Sequence, residues 1–249
     1  MSLATTVLSN GEQSSEEYEQ MIIDEKYLKE QSYIVDFNMI RNKTFIKPVC
    51  INNCSVTPYF DGIEDHLVSH INSSSYIIGC VAWLTNRTIL DSLMTIKGVK
   101  IIVNKEEYLS SKTYIGKKSY NKCMHNKYDS IPDLTEDKTV RQKFHDILNK
   151  TINEKDIKNK DGAILTYGTV NINSRMHHKF LIFFDDNFEP IGVWTGSYNI
   201  SKNSNMSLEN VVFISGSEIS KYYIQEFMTI YKYSEPYDWT KGTRISKLH

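Results

Sequence analysis

The chain has 249 residues, 40% of them apolar and 12% aromatic, enough to bury one large core or two modest ones. A formal charge of −1 excludes a protein that coats a polyanion by bulk charge, so any polyanion site must come from a local concentration of Lys and Arg. The longest apolar run, IIGCVAWL at 77–84, is far too short to cross a bilayer, and Met1 to Glu17 has neither a basic start nor the apolar run of a secretory leader.

A cytoplasmic protein with no transmembrane segment is therefore expected, and four cysteines fit reduced thiols better than a disulfide scaffold. The first fourteen residues are small and polar and are expected to be disordered. A helix then begins near Ser15, with Tyr18, Met21, Ile22 and Leu28 along one face, and YIVDFNMI reads as a strand. Residues 1–55 thus read as an N-terminal extension to a domain over 56–249. The central unit starts at Pro58: Asp61 is placed to cap a helix carrying Ile63, Leu67 and Ile71, the serines at 73–75 break it, and YIIGCVAWL follows as a buried strand. NRTILDSLMTI reads as the next helix, closed by Gly98 before the strand VKIIVN. Strand, helix and strand in alternation predict an α/β fold, a mixed sheet with at least one parallel pair flanked by helices.

Residues 105–160 read as a basic insertion over that sheet, with a single helix around TVRQKFHDIL. Residues 101–160 carry thirteen Lys or Arg against nine Asp or Glu, a balance of +4, whereas residues 1–50 carry five against eight, a balance of −3. Strands resume at AILTYGTV, MHHKFLIFF, IGVWTG and LENVVFIS, and the helix SEISKYYIQEFMTIYKY closes the core.

MHHKFLIFF carries the chemistry. Side chains alternate along a strand, so His177 and Lys179 project one way while His178 and Phe180 go to the other face, where His178 is expected to pack or hydrogen-bond. An imidazole beside an ammonium suits a phosphodiester: the Lys holds a nonbridging oxygen, and the His attacks phosphorus or protonates the leaving oxygen. Gly196 permits a tight turn after the next strand, and Ser197 and Asn199 add polar contacts to the same anion. Glu209 is placed to hydrogen-bond the second nitrogen of a catalytic His. Cationic side chains supply the charge neutralisation here, so the arrangement calls for no metal and no cofactor.

HHKFLIFFDD, TGSYNIS and SLENVVF, in this order, resemble the phospholipase D superfamily from about Pro58 to Tyr233. The resemblance assigns the functional His, Lys, Ser and Asn of H-x-K-x4-D and G-S-x-N to His177, Lys179, Ser197 and Asn199. It would put the family's Asp at position 184, which is Phe184 here; Asp185 and Asp186 follow, and a bulge or a longer strand would bring Asp185 into that role, a supporting structural one. Members carry two such motifs, or one motif and a dimer. The other His-x-Lys, His125 and Lys127 with Asp133 at the matching offset, lies in a segment that reads as no buried strand. One catalytic motif per chain and an isologous homodimer follow, with one His forming a phosphohistidine and its counterpart protonating the leaving alcohol.

Other readings stand beside this one. Cys50, Cys54, Cys123 and His125 offer a zinc site of unusual spacing, although C-x3-C is a weak signal, and His66 and His70 lack the Glu of a zinc-protease motif and read as solvated helix residues. The Lys-rich insertion is either solvated surface or a contact for substrate phosphates through Lys117, Lys118 and Lys122, interleaved with Tyr108, Tyr114, Tyr120 and Tyr128. A metal-independent endonuclease on DNA or RNA is the favoured function. A phospholipid or cardiolipin phosphodiesterase and a catalytically silent nucleic-acid-binding module are the alternatives.

Overall fold

The computed structural model describes residues 54–105, 109, 118–149, 160–168 and 175–237, within a compact unit that spans 46–249. The disordered start, helix and strand expected before residue 54 lie outside the described residues. Among those described, one eight-stranded sheet has the order β1-β7-β6-β5-β2-β3-β4-β8. Its strands are β1 (Ser55–Tyr59), β2 (Tyr76–Val81), β3 (Gly98–Asn104), β4 (Ile164–Tyr167), β5 (Lys179–Phe184), β6 (Pro190–Gly196), β7 (Val211–Ser215) and β8 (Glu235–Pro236). The helices are α1 (Ile63–Asn72), α2 (Arg87–Leu93), α3 (Lys118–Ser130), α4 (Lys138–Asn149) and α5 (Ser217–Tyr233). β2, β3 and β4 run parallel, and the remaining pairings are antiparallel, giving the mixed α/β sheet expected.

Every residue of β2 and β3 is buried, because helices cover both faces of the centre. One face brings Ile77, Val81, Ile101, Val103, Leu181, Phe183 and Trp194 against Leu67 and Ile71 of α1 and Ile89, Leu90 and Leu93 of α2. On the other face α5 crosses β5 and β6, Tyr223 meets Phe180 edge-on, and Phe227 and Tyr231 pack on Phe144 of α4.

Four local expectations change. Asp61 does not cap α1: its carboxylate accepts from the Gly62 amide at 2.8 Å, and Gly62, left-handed at φ 57°, occupies the cap. Gly98 does not close α2, which ends at Met94; it opens β3, where a Cβ would run into the Leu134 backbone. The basic insertion holds two helices, because KSYNKCMHNKYDS forms α3. β1 extends the sheet to an edge, and among the described residues no further strand pairs with it to need the N–H that Pro58 lacks.

The parallel strands β2, β3 and β4 all finish at one rim of the sheet. β5 and β7 begin at that rim and β6 ends there, as the pairings of Val81 with Lys179 and of Gly196 with Val211 show. The carboxyl ends of parallel strands are the usual seat of a ligand in an α/β sheet.

Candidate active site

Lys179 is the first residue of β5, and His177 lies just before the strand, in a segment still tied to β2 by the Ala82 amide donating to the His178 carbonyl at 2.8 Å. The alternation holds. Lys179 Nζ stands 3.0 Å from His177 Nδ1 and 3.4 Å from Nε2, and donates to the His177 carbonyl at 2.9 Å. His178 turns to the opposite face and meets Glu226 of α5 at 3.0 Å. Burial, then the charges of Lys179, Arg175 and His178, hold the His177 imidazole below the usual histidine range. A neutral ring with a lone pair is the form that attacks phosphorus. Burial also lowers Lys179, against the opposing pull of the Glu209 carboxylate.

Ser197 follows Gly196, where a Cβ would overlap the Asn210 carbonyl and Val211 backbone. Only glycine lets β6 and β7 close this tightly at the rim, and the closure sets Ser197 between the two chain segments. The Ser197 amide donates to the Asn210 carbonyl at 2.9 Å, the Asn210 amide donates to Ser197 Oγ at 3.1 Å, and Ser197 Oγ donates to Glu209 Oε2. Glu209 therefore orients Ser197 within the chain, where the sequence led us to expect a bond to the His. Asn199 is half-buried, and its Oδ1 is buried with no hydrogen-bond partner among the described residues.

Asp185 is not brought to this rim. It lies at the other end of β5, about 20 Å from Lys179 at the rise of a strand. Its carboxylate accepts from the Asn187 and Glu189 amides, both at 2.9 Å, and so shapes the β5–β6 turn. The register does slip there, between Phe183 and Phe184, but the extra residue is Ile191 on β6. Asp186 faces Lys97 at 2.9 Å on the surface.

The second His-x-Lys sits on helix α3, where residues two apart cannot share a face. His125 is buried edge-on to Tyr237, and Lys127 pairs with Asp91 of α2. Asp133 is held 2.6 Å from the fully buried Lys100 of β3. Lys117 lies outside the described residues, and Lys118 and Lys122 are placed only as backbone of α3. Cys50 also lies outside them. Among the described residues no group of three or more His, Cys, Asp or Glu is placed to hold a metal ion. Of the two histidines expected to be solvated, His66 is exposed, whereas His70 is half-buried, stacked on Phe213 at 4.0 Å and 3.1 Å from Tyr59 Oη.

Trp83 was not foreseen as part of the site. It stands edge-on to His177 with ring centroids 5.7 Å apart. In the sequence it looks like the end of a buried strand; only its shared parity with Val81, the partner of Lys179, places it on this face of the rim.

Among curated proteins, an uncharacterized protein, L381, of Acanthamoeba polyphaga mimivirus is 44% identical over 222 residues, covering 86% of this chain and 78% of that one. Among solved structures, Nuc of Salmonella typhimurium, a phospholipase D family member, matches at 17% identity and TM-score 0.44, over 74% of this chain and 99% of that one. NucT from Helicobacter pylori matches at 14% and TM-score 0.47 over the same shares, and phosphatidylserine synthase of Haemophilus influenzae at 12% and 0.43, over 81% of this chain and 44% of that one. No described helix is long and apolar enough to cross a membrane. With the model for the cardiolipin synthase, PLD-like domain matching residues 67–231, which hold both motifs and the rim they build, the chain belongs to the phospholipase D superfamily.

Proposed function

We propose that the chain hydrolyses phosphodiesters in DNA or RNA without a metal ion, using His177 as nucleophile in a homodimer. The observation that carries the reading is the Lys179 ammonium, 3.0 Å from an imidazole held toward its neutral form, on an exposed rim next to the Ser197–Glu209 pair. The His177 lone pair forms a P–N bond as the bond from phosphorus to the leaving oxygen breaks, and that oxygen takes a proton from a second imidazole. Water then attacks the phosphohistidine, giving its proton to that second imidazole, and the P–N bond breaks. Lys179, Ser197 and Asn199 hold the nonbridging oxygens, whose charge grows in each transition state. A donor on the far side of phosphorus is required, and the partner subunit's His177 would supply it. The rim carries apolar surface suited to a second copy: Met206 and Leu208, 76% and 104% exposed, precede Glu209 on the loop between β6 and β7.

Arg175 and Lys202, both exposed, lie near the motifs and favour an extended polyanion, and Lys117, Lys118 and Lys122 are proposed contacts for its flanking phosphates. The same apolar pair, with the cardiolipin synthase description of the family model, supports a second reading, a lipid phosphodiesterase. Purified protein in EDTA, offered plasmid, single-stranded DNA, RNA and cardiolipin vesicles, separates the two. Cleavage of polynucleotide supports the proposal, turnover of lipid alone selects the second reading, and binding without cleavage of any substrate refutes both.

A further inference from the structure

We propose that Glu64, on α1, is the positioning residue that locks the loop carrying Ser197 and Asn199. It stands outside every motif of the site. One carboxylate oxygen, Oε2, accepts from the side-chain amides of both Asn86 and Asn205. Asn205 lies in the 3-10 turn Asn203–Met206, downstream of Gly196–Ser197, and its Oδ1 accepts from the hydroxyl of Tyr198. Tyr198 is the variable residue of Gly-Ser-x-Asn, buried between Ser197 and Asn199. A hydrogen-bonded chain therefore runs from Glu64 through Asn205 and Tyr198 into the motif.

The second arm reaches the opposite side of the site. Asn86 is buried, and its side chain accepts from the Ile89 amide at 3.2 Å as the N-cap of α2. The backbone amides of Thr85 and Asn86 both donate to the Ile200 carbonyl, at 2.7 and 3.0 Å, directly after Asn199. The same β2–α2 turn continues from Trp83, which touches His177. Glu64 thus ties together the two segments that frame the phosphate-binding rim. An acid in the first turn of a helix is commonly a partner for the helix dipole alone. Here it receives amides from two separate loops, and charge-assisted bonds of this kind are stronger and more directional than neutral ones. Burial pushes the Glu64 carboxyl up, but donors from Asn86, Asn205 and Thr88 together bring it below its ordinary value, so the charged form is the one the network holds.

The inference rests on the phosphodiesterase reading, and its test uses the full chain with two independent measurements. Hydrogen exchange over 197–210 reads loop order whether or not the protein turns over. Glu64→Ala and Asn205→Ala should each speed that exchange, while Glu64→Gln, which keeps an acceptor oxygen, should restore it. With a small activated phosphodiester, both alanine variants should lower kcat on the order of ten- to a hundredfold with KM little changed, since misplacing a group near the reacting atoms costs rate more than binding. The double variant should be no worse than Glu64→Ala alone, which already removes both arms. Asn205→Ala leaves the Asn86 arm intact, so it scores the loop even if Glu64→Ala fails to fold. Unchanged exchange in Asn205→Ala overturns the clamp, and so does wild-type kcat in a variant whose loop exchange has risen. If the wild-type chain hydrolyses no diester, the functional proposal fails, and the exchange results alone decide the clamp.

Discussion

Asp133→Ala is expected to unfold the protein more readily while leaving its active rim intact. The Lys100 side chain has no exposed surface, and its ammonium meets Asp133 at 2.6 Å and the carbonyls of Gly162 and Lys160 at 2.7 and 3.2 Å. Asp133 also accepts from the Gly162 amide at 2.8 Å and the Thr135 amide at 3.0 Å. Removing the carboxylate leaves a buried cation with carbonyls only, a loss of about 3–5 kcal/mol. For a unit of this size each kcal/mol moves Tm by about 2–4 °C, so a fall of roughly 6–20 °C is expected by calorimetry. The deficit should narrow as pH rises. Burial already lowers the Lys100 pKa, and without Asp133 the folded chain binds fewer protons there than the unfolded chain, so stability climbs with pH. Hydrolysis measured well below the new Tm should match wild type. An unchanged Tm would refute the buried-pair argument, and a folded but inactive variant would return His125, Lys127 and Asp133 to the catalytic machinery.

Lys179→Met removes a cation beside His177, so the acid limb of kcat/KM should move to higher pH while turnover falls; an unmoved limb would detach His177 from that limb. Gly196→Ala should cost about 1–3 kcal/mol and most of the activity, because its Cβ would overlap the backbone of Asn210 and Val211; an active, fully stable variant would show that the β6–β7 closure is dispensable. Leu208→Asp alters a side chain wholly exposed in the single chain, so stability should shift by less than about 0.5 kcal/mol while sedimentation shows weaker dimerisation and activity falls with it. An intact, active dimer would place the interface elsewhere.

The placement of the two histidines was legible because period two is rigid: once MHHKFLIFF reads as a strand, His177 and Lys179 must share a face and His178 must leave it, and the contacts with Lys179 and Glu226 follow. The buried centre was legible for the same reason, through unbroken apolar runs in β2 and β3. Local pattern failed where tertiary contact decides. α3 is mostly polar, and Met124, Tyr128 and Ile131 carry its attachment to the core. β1 is exposed over four of its five residues and has no alternation to read. Asp185, expected in a supporting structural role, accepts from two amides of the β5–β6 turn, and the register slip beside it adds Ile191 to β6 and no residue to β5, which no count along β5 could show. Glu209 found Ser197 first, since Gly196 brings β6 against the chain just before β7. Glu64 left no trace in the motifs, because its partners Asn86 and Asn205 lie 22 and 141 residues away.

His177 is proposed to act twice, once from each chain of a dimer. Wild-type and His177→Ala chains, mixed in varying proportion and allowed to exchange, test this through diester hydrolysis in EDTA. A mixed dimer holds one imidazole and lacks either the nucleophile or the donor, so activity should follow the square of the wild-type fraction, with the pure variant inactive and folded. Activity linear in that fraction would mean each chain works alone, and hydrolysis by folded His177→Ala protein at the wild-type rate would contradict the assignment itself.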